Sequence, residues 1–251
     1  MRLIIYITVL FISFGSSVAF SPKDEFKMAN DLFNNGNYSD AAEKYHTLLD
    51  SGYLESEIYY NLGNSYFRMD DIKSAILYFE RAKKLNPGDE DINFNLKLAN
   101  LRIVDKFEPV PKLFFIEWYE YAVMIMYSGV WGTVLVISVW TLFLSLTFLL
   151  FSRLAGIRKL FVIVLFLSFF TIVFSGLLGY KAFDYETSKN EAVIFNESVY
   201  VKSAPDPGST DLFILHEGTK VLLMESIDNW LQIRIDNGDI GWIKNDEVEV
   251  I

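Results

Sequence analysis

Apolar positions along the chain keep four different rhythms, and each predicts a different kind of element. Residues 3–14 are apolar except for Thr8 and Ser13, follow Arg2, and lead into Ser17-Val18-Ala19. A short apolar run between a positive end and small residues at alternate positions predicts a signal peptide over 1–19, cleaved before Phe20. An uncleaved membrane anchor is the alternative. From 22 to 107 the apolar residues recur at helical spacing. Two longer runs, 129–151 and 160–180, contain no charged residue. After Tyr180 the pattern changes to short stretches that alternate apolar and polar positions, the period of half-buried strands.

The helical stretch repeats itself every 34 residues. Tyr59-x2-Leu62-Gly63-x2-Tyr66 is followed by Ala75-x3-Phe79 and Pro87, and 34 positions earlier stand Met28-Ala29-x2-Leu32 and Ala41-x3-Tyr45. Ala29, Ala41, Gly63 and Ala75 let paired helices approach, while Tyr45, Leu62, Tyr66 and Phe79 fill the gaps between them. Gly36-Asn37 and Asp70-Asp71 break the two hairpins, and Asn86-Pro87-Gly88 ends the second. At the next register Leu96-Lys97 puts a lysine where a small residue belongs. Residues 89–107 therefore predict a capping helix rather than a third repeat.

This spacing resembles that of tetratricopeptide proteins. The resemblance implies an all-α repeat domain over 20–107, with repeats at 22–55 and 56–89, and a concave surface that binds a segment of another protein. In such repeats the first helix of each pair lines the concave side. That assigns Phe26, Asn30 and Phe33, then Tyr60, Asn64 and Phe67, then Phe94, Leu98 and Leu101 to the groove, each trio on one helical stripe. Seven of these nine positions are aromatic or leucine, more than a solvated face carries. Asn30 and Asn64 would offer amides to a partner's backbone. Alternatively, some of these side chains pack on neighbouring helices.

The runs 129–151 and 160–180 predict a two-helix transmembrane hairpin, since at ~1.5 Å per residue the first alone spans about 34 Å. Between them, 152–159 holds Arg153, Arg158 and Lys159 and no acid, the mark of a cytoplasmic loop. Both flanking regions then lie on the exported side. Within the juxtamembrane segment 108–128, residues 113–127 are apolar yet carry Glu117 and Glu120 among Trp118, Tyr119 and Tyr121. It reads either as a helix at headgroup level, touching membrane lipid, or as an extension of the first span.

Six strands are expected at 192–195, 199–202, 213–215, 221–225, 230–235 and 241–244. They are separated by Pro205-Asp206-Pro207-Gly208, Glu217-Gly218 and Asp236-Asn237-Gly238. Val201-Lys202-Ser203-Ala204-Pro205, Glu217-Gly218-Thr219-Lys220-Val221, Asn229-Trp230 and Asp236-x-Gly238-x2-Gly241-Trp242-Ile243 resemble the ordered signals of bacterial SH3-type domains. Tyr200, Lys202 and Ala204 depart from that pattern. The resemblance implies a small all-β SH3-like barrel over 187–251. Such domains often attach to peptidoglycan, which makes Trp230 and Trp242 candidate ligand-binding residues. In the alternative, both belong to the core and the barrel rim.

Composition then narrows the chemistry. The net charge is −10, of which −8 falls in 181–251, and an acidic chain repels nucleic acid. With no cysteine, disulfides, Cys–zinc sites and thiol nucleophiles are removed together. The two histidines, His46 and His216, leave little material for His-based catalysis. His216-Glu217 lacks the second His of a metalloprotease helix, and Asp89-Glu90-Asp91 fits a helix N-terminus better than a metal site. No catalytic, cofactor or metal site is expected, and hence no enzyme.

The order of parts adds to this, together with Asn95-Leu96-Lys97-Leu98-Ala99-Asn100-Leu101-Arg102 and Pro111-Lys112-Leu113-Phe114-Phe115-Ile116-Glu117-Trp118-Tyr119-Glu120. It resembles the BatE family of the Bacteroides aerotolerance operon. That resemblance implies a multidomain membrane protein, a scaffold of the bacterial inner membrane with both soluble domains periplasmic. Its implied partners are Bat-type von Willebrand factor A proteins and, indirectly, a MoxR-type ATPase. The competing reading is a cell-wall anchor or sensor that binds peptidoglycan through the SH3-like domain.

Overall fold

The computed structural model describes residues 21–251, so the expected signal peptide lies outside the described residues. Five short helices come first: α1 (Pro22–Asn34), α2 (Tyr38–Asp50), α3 (Ser56–Arg68), α4 (Ile72–Leu85) and α5 (Glu90–Asn100). Their starts are set locally. The Ser21 hydroxyl accepts from the Asp24 N–H with Pro22 opening the helix, Asp71 accepts from Ser74, and Asp89 accepts from Asp91 and Ile92. Each cap satisfies a backbone donor that the helix itself leaves unpaired. Ala29, Ala41, Tyr45, Leu48 and Leu62 form one core cluster, and Ala75, Ile76, Phe79, Leu96 and Ala99 belong to a second. A Cβ on Gly63 would stand 2.7 Å from the Phe79 ring, so the close crossing of α3 and α4 depends on that glycine.

Next come α6 (Phe114–Met124), α7 (Ser128–Phe151) and α8 (Ala155–Thr187). Both α7 and α8 are long and apolar enough to cross a membrane. They pack along Ser138 and Ser145 on one helix and Ser168, Ser175 and Ala182 on the other, all buried and spaced by sevens. Small residues at such an interface let backbones approach closely. The hydroxyls of Ser138 and Ser145 donate to the carbonyls of Val134 and Thr141 in their own helix. Helix α8 runs past the apolar stretch 160–180 at both ends. Arg158 and Lys159 therefore sit on its first turns, and only 152–154 connect the two helices. At the far end, Glu186 accepts from the Ser128 N–H at 2.6 Å and from its hydroxyl, capping α7.

The C-terminal region is a seven-stranded antiparallel sheet: β1 (Glu191–Ile194), β2 (Ser198–Lys202), β3 (Asp211–His216), β4 (Lys220–Ile227), β5 (Trp230–Arg234), β6 (Ile240–Lys244) and β7 (Val248–Val250). Its order is β3-β2-β6-β5-β4-β1-β7. Strand β7 is one more than the pattern predicts. It is three residues long, too short for alternation to register, and pairs Val250 with Ala192 of β1. Ile194, Val199, Val201, Leu215, Ile233 and Ile243 fill the core of this region.

The helices and the sheet share a core. Val193 and Ile251 are buried in the same cluster as Ala75, Ile76, Leu77, Phe79, Leu96 and Ala99. Polar links surround this apolar contact. The Lys220 ammonium lies 3.0 Å from both Glu80 and Glu191. Burial lowers its pKa, but the two carboxylates outweigh that and hold it above the ordinary lysine range. Lys73 donates to the Phe195 carbonyl and to Glu217, Arg81 to the Val250 carbonyl, and Lys84 to the carbonyls of Ser188 and Ile251.

An extended strap after α5 crosses onto the sheet. Ile103 packs against Gly218, Phe107 joins the sheet core, and the Val110 N–H donates to Asp236. Between them, the Asp105 carboxylate accepts from the His216 N–H and the Thr219 hydroxyl and lies 2.8 Å from His216 Nδ1. Burial alone would raise the Asp105 pKa, yet these hydrogen bonds keep it below the usual carboxylate value.

Candidate protein-interaction site

Helices α1, α3 and α5 stand side by side, and asparagines tie them together. Asn30 Oδ1 accepts from the Tyr45 hydroxyl at 2.5 Å and from Asn61 Nδ2 at 3.2 Å. One repeat later, Asn64 Oδ1 accepts from Asn95 Nδ2 at 2.8 Å, and Asn95 also donates to the Tyr60 hydroxyl at 3.0 Å. The ladder follows from the 34-residue period, which relates Asn30 to Asn64 and Asn61 to Asn95. Burial, then the nearby Glu57 carboxylate, pushes the Tyr45 phenol pKa up, so it stays protonated and donating.

The nine positions assigned to the groove divide into two sets. Phe26, Phe33, Tyr60 and Phe67 are half-buried and pack on the helical cores, with Tyr60 against Phe79 and Phe26 against Tyr45. Asn30 Oδ1 spends both of its acceptor sites on the ladder and Asn64 Oδ1 one of them, so the amides are tied into the fold before any partner arrives. Phe94 is 60% exposed and Leu101 66%, and Leu98 is exposed beside them. A cleft of about 320 Å³ brings Phe33, Asn64, Phe67 and Leu98 together with Arg68 and Asn95.

The sequence reading did not assign Arg68 and Asn95 to this site. Asn95 was recoverable as the residue 34 positions after Asn61. Arg68 is held by donating to the Tyr38 hydroxyl, which no spacing rule foretells.

The two ends of this surface differ in charge. Glu55, Glu57, Asp89 and Asp91 line a hollow of about 510 Å³ with Tyr60, Asn61 and Ile92, where α3 and α5 begin. At the opposite ends of these helices, Arg68 sits beside the cleft and Arg102 lies over the Phe67 ring while pairing with Asp70. The floor is apolar, one edge is acidic and the other is basic.

On the sheet, Trp230 and Trp242 lie on strands β5 and β6 on the same face, with Trp242 opposite Gln232 and Trp230 opposite Lys244. Trp242 is 8% exposed and Trp230 is half-buried. Neither ring stands free as a stacking platform. The larger exposed apolar side chains of this sheet are Tyr200, Leu212 and Met224.

Comparison with known proteins falls on the helical region. Residues 26–90 match the family model described as tetratricopeptide repeat. Over 67 residues the chain is 36% identical to Uncharacterized protein MJ0572 of Methanocaldococcus jannaschii, an alignment that covers 27% of this chain and 77% of that protein. Repeats of this kind mediate binding between proteins and carry no chemistry of their own. With its paired helices, its 34-residue spacing and these matches, the chain belongs to the tetratricopeptide-repeat family.

Proposed function

We propose that the protein is a non-enzymatic scaffold, held in a membrane by α7 and α8 and offering the α1–α3–α5 surface to another envelope protein. The observation that carries this reading is the exposed strip Phe94, Leu98 and Leu101 beside the asparagine ladder. Large side chains left open on a helical face mark a contact surface. The favoured partner is an amphipathic segment whose apolar side meets the strip and whose basic residues lie toward Glu55, Glu57, Asp89 and Asp91.

On the same reading, α7 and α8 span the inner membrane and both soluble regions are periplasmic. The positive charges Arg153, Arg158 and Lys159 at their cytoplasmic connection support this orientation. The order of parts supports a BatE-type role beside von Willebrand factor A-type Bat proteins and a MoxR-type ATPase. The alternative, an SH3-like barrel that anchors the protein to peptidoglycan, draws less support because Trp242 is buried.

The test is co-purification from native membranes with Phe94, Leu98 and Leu101 changed to serine. Truncating a hot-spot anchor costs ~2 kcal/mol or more at a binding surface, so the triple variant, which removes the whole strip, should lose its partner while keeping its melting temperature. Retention of the partner by a folded variant overturns the reading. Reporter fusions after Lys106 and Ile251 should be exported and one at Gly156 should not. Retention of either terminal fusion in the cytoplasm would reject the orientation.

A further inference from the structure

Helix α6 presents two opposed faces. Ile116, Tyr119, Glu120 and Val123 face α8 and the sheet, where they line a cavity of about 480 Å³ with Lys181, Asp184 and Tyr185, and Val123 is buried. The Trp131 indole N–H donates to the Val123 carbonyl and fixes α6 against α7. The opposite face carries Phe114, Trp118, Tyr121 and Ile125 at spacings of four, three and four, one stripe of a helix. These side chains are 65%, 72%, 70% and 48% exposed. Glu117 lies between the two faces and Glu120 on the inner one, so the outer stripe is the wholly apolar face, and the fold leaves it uncovered.

We propose that this stripe lies in the outer leaflet of the membrane that α7 and α8 cross, with α6 parallel to the bilayer surface. Continuity identifies the occupant. Only 125–127 separate α6 from α7, so the stripe begins where the apolar surface of α7 begins. The helix is also separate from α7, which sets aside the reading of 113–127 as a longer first span. Phe, Trp and Tyr are the residues favoured at headgroup depth. Charged pairs line the cavity on the inner face, Lys112 with Glu120 and Lys181 with Asp184, both at 2.7 Å. The turn at Gly88 between α4 and α5 rests against the Ile125 carbonyl. Burying the stripe therefore also sets the height of the repeat helices above the membrane.

The proposal rests on α7 and α8 spanning the bilayer, and the test separates the two. The chain has no cysteine, so single cysteines at 114, 118 and 121 can carry a nitroxide in the full-length protein. The labelled protein is placed in nanodiscs of phosphatidylethanolamine and phosphatidylglycerol. Leu144 on α7 and Lys97 on α5, both exposed, serve as lipid and water references. Collision with oxygen should exceed collision with a water-soluble nickel complex at 114, 118 and 121, as at 144 and unlike 97. Water-like values at the three sites with a lipid-like 144 overturn the proposal alone. A water-like 144 overturns the spanning helices and the proposal with them. Labels shielded from both reagents at 114, 118 and 121 show that protein, a partner or a second copy, covers the stripe, and the proposal fails.

Discussion

Helices α2 and α4 hold the same place in successive repeats, 34 residues apart, yet their outer faces meet different surroundings. In α2, Ser39, Glu43, Thr47 and Asp50 are open to solvent. Their equivalents in α4 are Lys73, Leu77, Arg81 and Lys84, three of which reach the sheet as donors. The inner contact shifts in the same way. His46 of α2 packs on Tyr78 of α4 with ring centres 5.5 Å apart, whereas Glu80, one repeat later, meets Lys220 of β4. The sheet therefore occupies the side of α4 against which the next repeat's second helix would pack. A stack of repeats needs its last face covered, and here a β-sheet supplies the cover. The two modules are one folded body, so whatever docks on the helices is positioned relative to the sheet as well.

The largest expected effect comes from breaking that seam at its buried charge. Lys220→Met would leave Glu80 and Glu191 facing each other without their shared cation, a change that typically costs about 3 kcal/mol or more. Hydrogen exchange in the full-length protein should show α4, α5, β1 and β7 losing protection together while α1 and α2 keep theirs. Loss confined to the sheet would mean that the two regions fold independently, and the comparison would fail. A smaller effect is expected at the strap. Gly218 has φ +85°, and a Cβ there would stand 2.6 Å from Ile103 Cγ2, so Gly218→Ala should cost on the order of 1–3 kcal/mol. Exchange should then rise first in 101–110, and a protected strap would show that Ile103 adjusts freely.

This difference between two equivalent helices also marks the limit of what the sequence discloses. Repeat spacing, Ala and Gly at the crossings, capping residues and strand alternation are local signals, and they were legible. The seam is not local. Lys220 sits 140 positions from Glu80, and Lys73, Arg81 and Lys84 look like an ordinary solvated helix face until the sheet is placed against them. One partial signal existed, the alternation of Ile103, Asp105 and Phe107 with Val104, Lys106 and Glu108, which reads as an extended segment with one side covered. The groove shows the same limit. Its residues were legible by period, but helical spacing alone does not say that Tyr60 and Phe67 lean on the core while Phe94 and Leu101 stand clear.

A matched pair of substitutions sharpens the comparison at smaller scale. Arg81→Ala removes the donor to the Val250 carbonyl at the end of β7 and should cost about 1 kcal/mol. Thr47→Ala, at the equivalent position of α2, should stay within about 0.5 kcal/mol because its hydroxyl bonds only its own helix. Melting temperatures of the two variants measured side by side decide this. Equal shifts would mean that the seam adds nothing at that position.

The smallest effect lies at the inner contact of the first repeat and appears as a dependence on pH. His46 Nε2 is 2.9 Å from the Tyr66 hydroxyl, and its ring packs edge-on to Tyr66 and Tyr78. Burial lowers its pKa below 6.5, Asp50 opposes that shift, and Arg81 adds to it. The imidazole is therefore neutral in the folded chain at a pH where the unfolded chain already binds a proton. Above 6.5 both states are neutral and the group contributes no pH dependence. As the pH falls below 6.5 the unfolded state gains protons first, so stability falls until the folded-state pKa is reached and then levels off. Acid therefore weakens the contact between α2 and α4. The seam at Lys220 behaves differently, since its ammonium is charged throughout this range. His46→Gln keeps an amide that can reach Tyr66 but does not titrate. Stability measured by denaturant between pH 5 and 8 should fall more steeply with acid in the parent than in this variant. Parallel curves would place the titration elsewhere, and a parent that gains stability as pH falls would reverse the sign required of a histidine held neutral by burial.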